Sequence, residues 1–169
     1  NFTNIDTTKP VVTEATATTN KITIKATDDE SGIVGYAITT SNTVPSSFTS
    51  VTNTKSLDTS LTGYKQSTTY YVWVKDAAGN VSESKTTATT KVTDLTEANT
   101  TFSYSPSSWT NGNVIATAST TITGFTLQTR KDGINWESKA TQTYSSKGRI
   151  YARLWDGTNY GGSASGNFT

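Results

Sequence analysis

The stretch Tyr70-Tyr71-Val72-Trp73-Val74-Lys75-Asp76-Ala77-Ala78-Gly79-Asn80 constrains this fold more than any other part of the chain. Tyr70, Val72 and Val74 alternate with Tyr71, Trp73 and Lys75, the period of a strand buried on one face. The alternation ends in Asp76-Ala77-Ala78-Gly79-Asn80, small residues suited to a tight turn, and Val81-Ser82-Glu83-Ser84 starts a polar strand back. The pattern returns at Ile150-Tyr151-Ala152-Arg153-Leu154-Trp155-Asp156-Gly157-Thr158-Asn159, with Tyr151 matching Tyr71 and Asp156 matching Asp76. One such hairpin predicts the closing element of each of two similar domains.

Hydrophobic residues make up only 32% of the 169-residue chain and Thr is its commonest residue. Two domains of roughly 75 to 90 residues would each have a thin core. β-Branched Thr suits the solvent face of strands better than helices, so the expectation is all-β. The net charge of +1, with its positive excess after residue 98, is too weak for the electrostatic footprint of a nucleic-acid binder. Cys, His and Met are absent. Thiolate metal sites, disulfides and the usual general base are therefore excluded. Nothing reads as a signal peptide, membrane span or lipidation motif, and the expectation is an internal piece of a longer protein.

Taken in order, Asn4 to Pro10 reads as a linker into a first strand, with Pro10 at a strand start or edge. Strands are predicted at Lys21 to Thr27, Ile33 to Thr40, Leu57 to Leu61, Tyr70 to Lys75 and Ser82 to Val92, the last Thr-rich and charge-dotted like an edge. Ser41 to Lys55 reads as a polar connection anchored by Val44 and Phe48. Thr93 to Thr100 lacks an apolar period and reads as the linker. A second copy follows, with strands at 102–106, 113–119, 124–129, 134–140, 150–155 and 163–169. Gly124-Phe125-x-Leu127 echoes Gly35-Tyr36-x-Ile38, and Trp136 falls where Phe48 does. About seven short strands per unit predict a Greek-key sandwich in each half. Asn1-Phe2-Thr3 reappears as Asn167-Phe168-Thr169, either by chance or as the last strand of a preceding repeat.

Residues 4 to 93 resemble a fibronectin type III or immunoglobulin-like repeat of bacterial surface proteins. The resemblance is carried by Ser31-Gly32-Ile33-x-Gly35-Tyr36, Leu61-x-Gly63, Thr69-Tyr70-x-Val72-x-Val74 and Asp76-Ala77-Ala78-Gly79-Asn80-x-Ser82. It implies a tyrosine corner at Tyr70. Residues 99 to 169 resemble a sister repeat through Trp109-Thr110-Asn111-Gly112-Asn113-Val114, Asp132-Gly133-x-x-Trp136 and Ile150-Tyr151-Ala152-Arg153. Ile150 stands where Tyr70 did, and Gly161-Gly162 replaces the usual Asn-x-Ser ending. The fold class expected is all-β, two tandem immunoglobulin-like Greek-key β-sandwich domains. The first covers 1–93, with 1–3 as the tail of a preceding repeat, and the second covers 94–169.

Two sets of residues are candidate sites. A sandwich brings the loops at one end together, which gathers Asp6, Asp28, Asp29, Glu30, Asp76 and Asn80. Calcium takes about six to eight oxygens, and the resemblance to calcium-stiffened repeats implies that ion here. The same residues serve as ordinary turn formers. The second domain offers only Asp156 and Asn159 at that end. The other set is an outward face of Gln128, Arg130, Tyr151, Arg153 and Trp155, echoed in the first domain by Tyr71, Trp73 and Lys75. Such a face suits stacking on sugar rings or a flat protein surface, and equally suits cross-strand pairing on an exposed sheet. Catalytic residues are not expected, nor is a Lys–Asn crosslink, since Lys25 and Lys75 fall at outward positions. The resemblance implies a non-enzymatic spacer or adhesion module, extracellular, on the cell surface or secreted, with a carbohydrate-binding module as the alternative. Its expected partners are neighbouring repeats of the same chain and a glycan or host surface protein. Neither nucleic acid nor membrane insertion is expected, the chain is expected to be a monomer, and no cofactor is expected besides calcium.

Overall fold

A computed structural model describes residues 5–108 and 111–169; Asn1-Phe2-Thr3 and the Trp109-Thr110 pair lie outside the described residues. The chain divides into two compact units, Asn1–Thr90 and Lys91–Thr169. No helix occurs among the described residues.

The first unit holds β1 (Val11–Ala17), β2 (Lys21–Thr27), β3 (Ile33–Thr39), β4 (Thr49–Thr54), β5 (Ser56–Thr62), β6 (Thr69–Asp76) and β7 (Lys85–Ala88). They form two antiparallel sheets, β1-β2-β5 and β4-β3-β6-β7. The inward faces meet in a core of Ile22, Ile24, Ile33, Leu57, Tyr70, Val72 and Val74, with Tyr36 and Ile38 packed against it. Register follows from the alternation, because a one-residue slip would expose the whole apolar set. Val74 thus lies opposite Tyr36 and Val72 opposite Ile38.

Trp73 is on the other face, as the alternation predicts, yet is only 5% exposed. Its indole Nε1 donates to Thr39 Oγ1 (3.1 Å). The Ser41–Phe48 connection covers this side: Ser84 Oγ donates to Asn42 Oδ1 (2.5 Å), and Lys75 lies over the Phe48 ring. Val44, expected to anchor that connection, is instead 63% exposed, and Phe48 does the anchoring from its place over Gly35. β4 falls inside the stretch read as a connection. It is a polar edge strand whose Ser, Thr and Asn side chains give no apolar period to detect. The final strand is also shorter than expected, four residues at β7 after a single Lys75–Val81 bridge.

Tyr70 makes the expected corner, its hydroxyl accepting from the Lys65 amide (3.1 Å) while its ring meets Tyr64 edge-on. The second unit replaces that device with Tyr144, whose hydroxyl donates to the Arg149 carbonyl (2.7 Å). Gly148 is required there, because a Cβ would stand 2.7 Å from the Tyr144 ring.

The second unit holds β8 (Thr100–Ser105), β9 (Val114–Thr120), β10 (Thr126–Lys131), β11 (Thr141–Tyr144), β12 (Gly148–Trp155) and β13 (Ala164–Phe168). Its sheets are β11-β9-β8 and β10-β12-β13, closing over Ala116, Ala118, Ile150, Ala152 and Leu154. The strand expected over 134–140 is absent. Only Glu137 bridges to Thr129, and the real strand is β11, one step later. β11 escaped because its buried positions are Gln142 and Tyr144, flanked by Thr. Gln142 lies between the sheets, its Nε2 donating to Thr129 Oγ1 (3.1 Å) and Glu137 Oε2 (2.9 Å). The Thr129 hydroxyl donates in turn to the Lys139 carbonyl (2.8 Å).

The stretch 93–100, read as a linker, belongs to the second core, and the units part at Thr90 and Lys91 rather than after residue 93. Val92 is fully buried and Leu95 nearly so. Two apolar residues three apart are too few to register as a period. Gly161-Gly162 finds its reason here. A Cβ on Gly161 would lie 2.3 Å from the Thr93 carbonyl oxygen, and the Gly162 carbonyl accepts from the Leu95 amide (3.0 Å).

Candidate functional site

At one end of the first unit, three segments converge: the leading segment before β1, the β2–β3 loop and the β6–β7 turn. The loop turns at Gly32 (φ +84°) and the hairpin at Gly79 (φ +100°), left-handed conformations that favour glycine. Asp28 is 5% exposed, its Oδ1 accepting from the amides of Gly32 (2.6 Å) and Glu30 (3.2 Å). Asp76 is fully buried, accepting at Oδ1 from the Asn80 amide (2.7 Å) and at Oδ2 from Asn80 Nδ2 (2.8 Å). Asp6 accepts from the Thr8 amide (2.8 Å) and the Ser31 amide (3.1 Å). Hydrogen bonding from Ser31 first, and from Thr8 as well, holds the Asp6 carboxyl below the usual carboxylate range.

One oxygen from each of Asp6, Asp28 and Asp76 lies within 4.8 Å of the others. Oxygens that share a calcium ion at about 2.4 Å are at most about 4.8 Å apart, so all three can reach one ion. The carboxylates have no cationic partner: ion pairs among the described residues are Lys9–Glu83, Lys25–Glu14, Lys91–Asp94 and Lys139–Glu137. Lys55 reaches the loop but donates to the main-chain carbonyls of Asp29 and Glu30. Hard oxygen donors without thiol or imidazole fit calcium, and water would complete the shell.

The six residues expected at this end divide. Asp6, Asp28 and Asp76 converge. Glu30 stands beside them, its carboxylate accepting from the Thr8 hydroxyl (2.9 Å), and the Asp29 side chain is exposed. Asn80 is a clamp rather than a ligand. Its Nδ2 faces Asp76 Oδ2, the Asp6 carbonyl (3.2 Å) and the Thr8 carbonyl (3.3 Å), three acceptors that fix the amide nitrogen on that side.

The second set lies on the outward face of β10 and β12. Pairing places Gln128 opposite Arg153 and Arg130 opposite Tyr151. Trp136, from the loop after β10, completes an alternating array. Arg153 lies 4.1 Å from the Tyr160 ring centre and 4.4 Å from that of Trp136, and Arg130 lies 5.1 Å from Trp136 and 4.7 Å from Tyr151. Arg149 ends the row, 6.0 Å from Tyr151. Each such contact contributes about 0.5–2 kcal/mol, according to its desolvation. Gln128 Oε1 accepts from Arg153 Nε (2.9 Å), the Tyr151 hydroxyl donates to Asp132 (2.6 Å), and Arg149 Nε donates to Asn167 (2.6 Å). Arg130 Nε is enclosed without an acceptor. Burial pulls the Arg153 pKa below the ordinary arginine value, with the Arg130 charge acting the same way and Tyr160 opposing.

Of the residues expected on this face, Gln128, Arg130, Tyr151 and Arg153 form the array. Trp155 stands outside it, beside Gly124, Phe125 and Asp156 at a depression of about 410 Å³. Sequence reasoning missed the part played by Trp136, Arg149 and Tyr160. The Asp132-Gly133 turn, which folds Trp136 back over β10, was the available signal. Among the described residues the first unit repeats the arrangement only as the Lys75–Phe48 contact.

No family model matches the sequence, and no curated protein matches it. Among solved structures, similarity is found to the chicken CNTN1 FN1-FN3 domains at 11% identity and a TM-score of 0.33, covering 93% of this chain and 65% of that one. It is also found to the human OSCAR ligand-binding domain at 10% identity and a TM-score of 0.34, covering 93% of this chain and 97% of that one. The strand orders and registers carry the fold assignment: the chain is all-β, built of immunoglobulin-like Greek-key sandwiches.

Proposed function

We propose that the chain is a non-enzymatic spacer or adhesion module of a modular bacterial cell-surface or secreted protein, set among neighbouring repeats. The observation that carries this reading is the pinning of the leading segment. Asp6 and Thr8 are bonded to Asn80, Ser31 and Glu30, and Lys9 pairs with Glu83. A repeat that must hold a fixed direction to what precedes it needs its approach tied to its own loops. The converging acids serve this bracing, each accepting from turn amides, and they face no activated nucleophile. Calcium held by Asp6, Asp28 and Asp76 would stiffen the same junction rather than take part in a reaction.

A second reading, a carbohydrate-binding module, is supported by Trp155 beside its depression. Exchange of both units for an unrelated pair of β-sandwiches of equal length, within the parent protein, separates the two. The spacer reading expects adhesion by the parent to persist. Loss of adhesion that Trp155→Ala alone reproduces would establish the carbohydrate reading instead.

A further inference from the structure

We propose that the outward face of β10 and β12, through Arg149, Arg130 and Arg153, is a binding surface for an acidic polysaccharide. This goes beyond the spacer reading and does not depend on it.

The rings at the centre of the array are not free for stacking. A neutral sugar is gripped by stacking on a free aromatic face, but Trp136 and Tyr151 each already carry two guanidiniums. What the array turns outward is cationic. A contact with a ring face uses the charge of a guanidinium but not its N–H donors, and those are the groups that engage a carboxylate or sulfate in pairs. Among the described residues the side chains of Arg149 and Arg153 donate only through Nε, which leaves their terminal Nη atoms without an acceptor, and the Arg130 Nε has none either. Nor does any of the three join an ion pair among the described residues. Asp132 at the rim is engaged by the Tyr151 hydroxyl, and Glu137 by Lys139.

The spacing selects an extended ligand. Arg149 and Arg153 are four residues apart on one strand, roughly 13 Å, and Arg130 lies opposite Tyr151 midway between them. Three cations in a row match a linear polymer with regularly repeated acidic groups. An anion bridging Arg130 and Arg153 would also relieve the like-charge contact between them. An acidic peptide is a poorer match, since peptides on sheets gain affinity from main-chain bonds at an edge and this face centres on β12, bonded on both sides. Ser138 and Asn167, at the margin of the array, offer side-chain partners for sugar hydroxyls.

The test is retention of the whole chain on immobilised heparin and polygalacturonate, with dextran as the neutral polymer and polyglutamate as the acidic peptide. The sulfated and carboxylated arms distinguish which acidic group is preferred. The expected result is retention on one or both polyanions, none on dextran, and release as salt shortens the screening length. Arg149→Glu should weaken binding at least tenfold, and Arg149→Lys should keep it within about threefold. The Arg149 side chain is exposed and among the described residues contacts Asn167 and Tyr151, while its carbonyl, which accepts from Tyr144, is untouched by substitution, so the melting temperature should hold in both variants. The proposal is overturned by no retention on either polyanion, by retention that Arg149→Glu and Arg130→Gln both leave unchanged, or by polyglutamate binding as tightly as polygalacturonate.

Discussion

Adding calcium to the chelator-treated chain should raise the melting temperature of the first unit and leave that of the second where it was. The first unit brings Asp6, Asp28 and Asp76 within 4.8 Å with no cation against them, whereas the described residues of the second contain no such cluster. Extracellular modules bind calcium at about 10⁻⁴ to 10⁻³ M. At 10 mM calcium that is tenfold to a hundredfold excess, which stabilises the folded state by about 1.4 to 2.7 kcal/mol. In a domain of this size each kcal/mol moves the midpoint by roughly 4–8 °C, so the shift should be roughly 6–20 °C. Asp28→Asn sharpens the test. The amide oxygen can still accept from Gly32 and Glu30, so the turn survives while one of three repelling charges is removed. In chelator the variant should melt no lower than the parent chain; in calcium it should lose most of the shift. Scanning calorimetry resolves the two transitions. A first transition indifferent to calcium, or an Asp28→Asn deficit equal with and without the ion, would refute the reasoning and leave these acids as turn formers.

Val74→Ala should cost about 1–3 kcal/mol in denaturant unfolding, a large share of the stability of so small a unit. Trp73→Ala should cost more, about 3–5 kcal/mol, because it removes a larger side chain that is only 5% exposed and bonded to Thr39; the reverse order would show that face to be loosely packed. Gly161→Ala sets a Cβ against main chain that cannot step aside, so the second transition should fall by at least about 1–3 kcal/mol, and an unchanged transition would mean that Val92 and Leu95 are not docked. Burial pushes the Tyr144 phenol up to about 12 from its ordinary value of 10. The folded state therefore favours the neutral phenol, and this contribution is whole below pH 10 and lost as pH rises from about 10 through about 12. Ultraviolet tyrosinate absorbance followed alongside unfolding, with Tyr144→Phe as the comparison, should show the variant's stability falling less steeply across that window.

The parts of this fold that could be read in advance are those where burial and alternation coincide. β2 begins and ends where its pattern does, and β6 keeps the register that places Val74 inward and Trp73 outward. Elements whose ladders are carried by polar residues escaped. β4 turns only Val51 toward the core, and β11 buries a glutamine that only the three-dimensional placing of Thr129 and Glu137 could satisfy. At the acidic end, sequence located the acids because sandwich loops share an end. It could not orient Asn80, whose amide offers either a donor or an acceptor until its neighbours are known. On the outward face, alternation located Arg130, Tyr151 and Arg153. Trp136 joined them only because a loop folds back over the sheet, a long-range event with no local period.

The pinned leading segment has a mechanical consequence. A pull applied to the chain ahead of β1 meets the Asn80 amide, the Ser31 amide, the Glu30 carboxylate and the Lys9–Glu83 pair before it reaches the β1–β2 ladder. These ties are short, polar and borne by loops, so they can part and reform while Ile22, Ile24 and Val72 stay enclosed. The first unit therefore carries a reversible fuse at its upstream end. Under tension it yields a few residues of slack at the cost of loop hydrogen bonds and the Lys9–Glu83 pair, and the core is loaded only after that slack has been used.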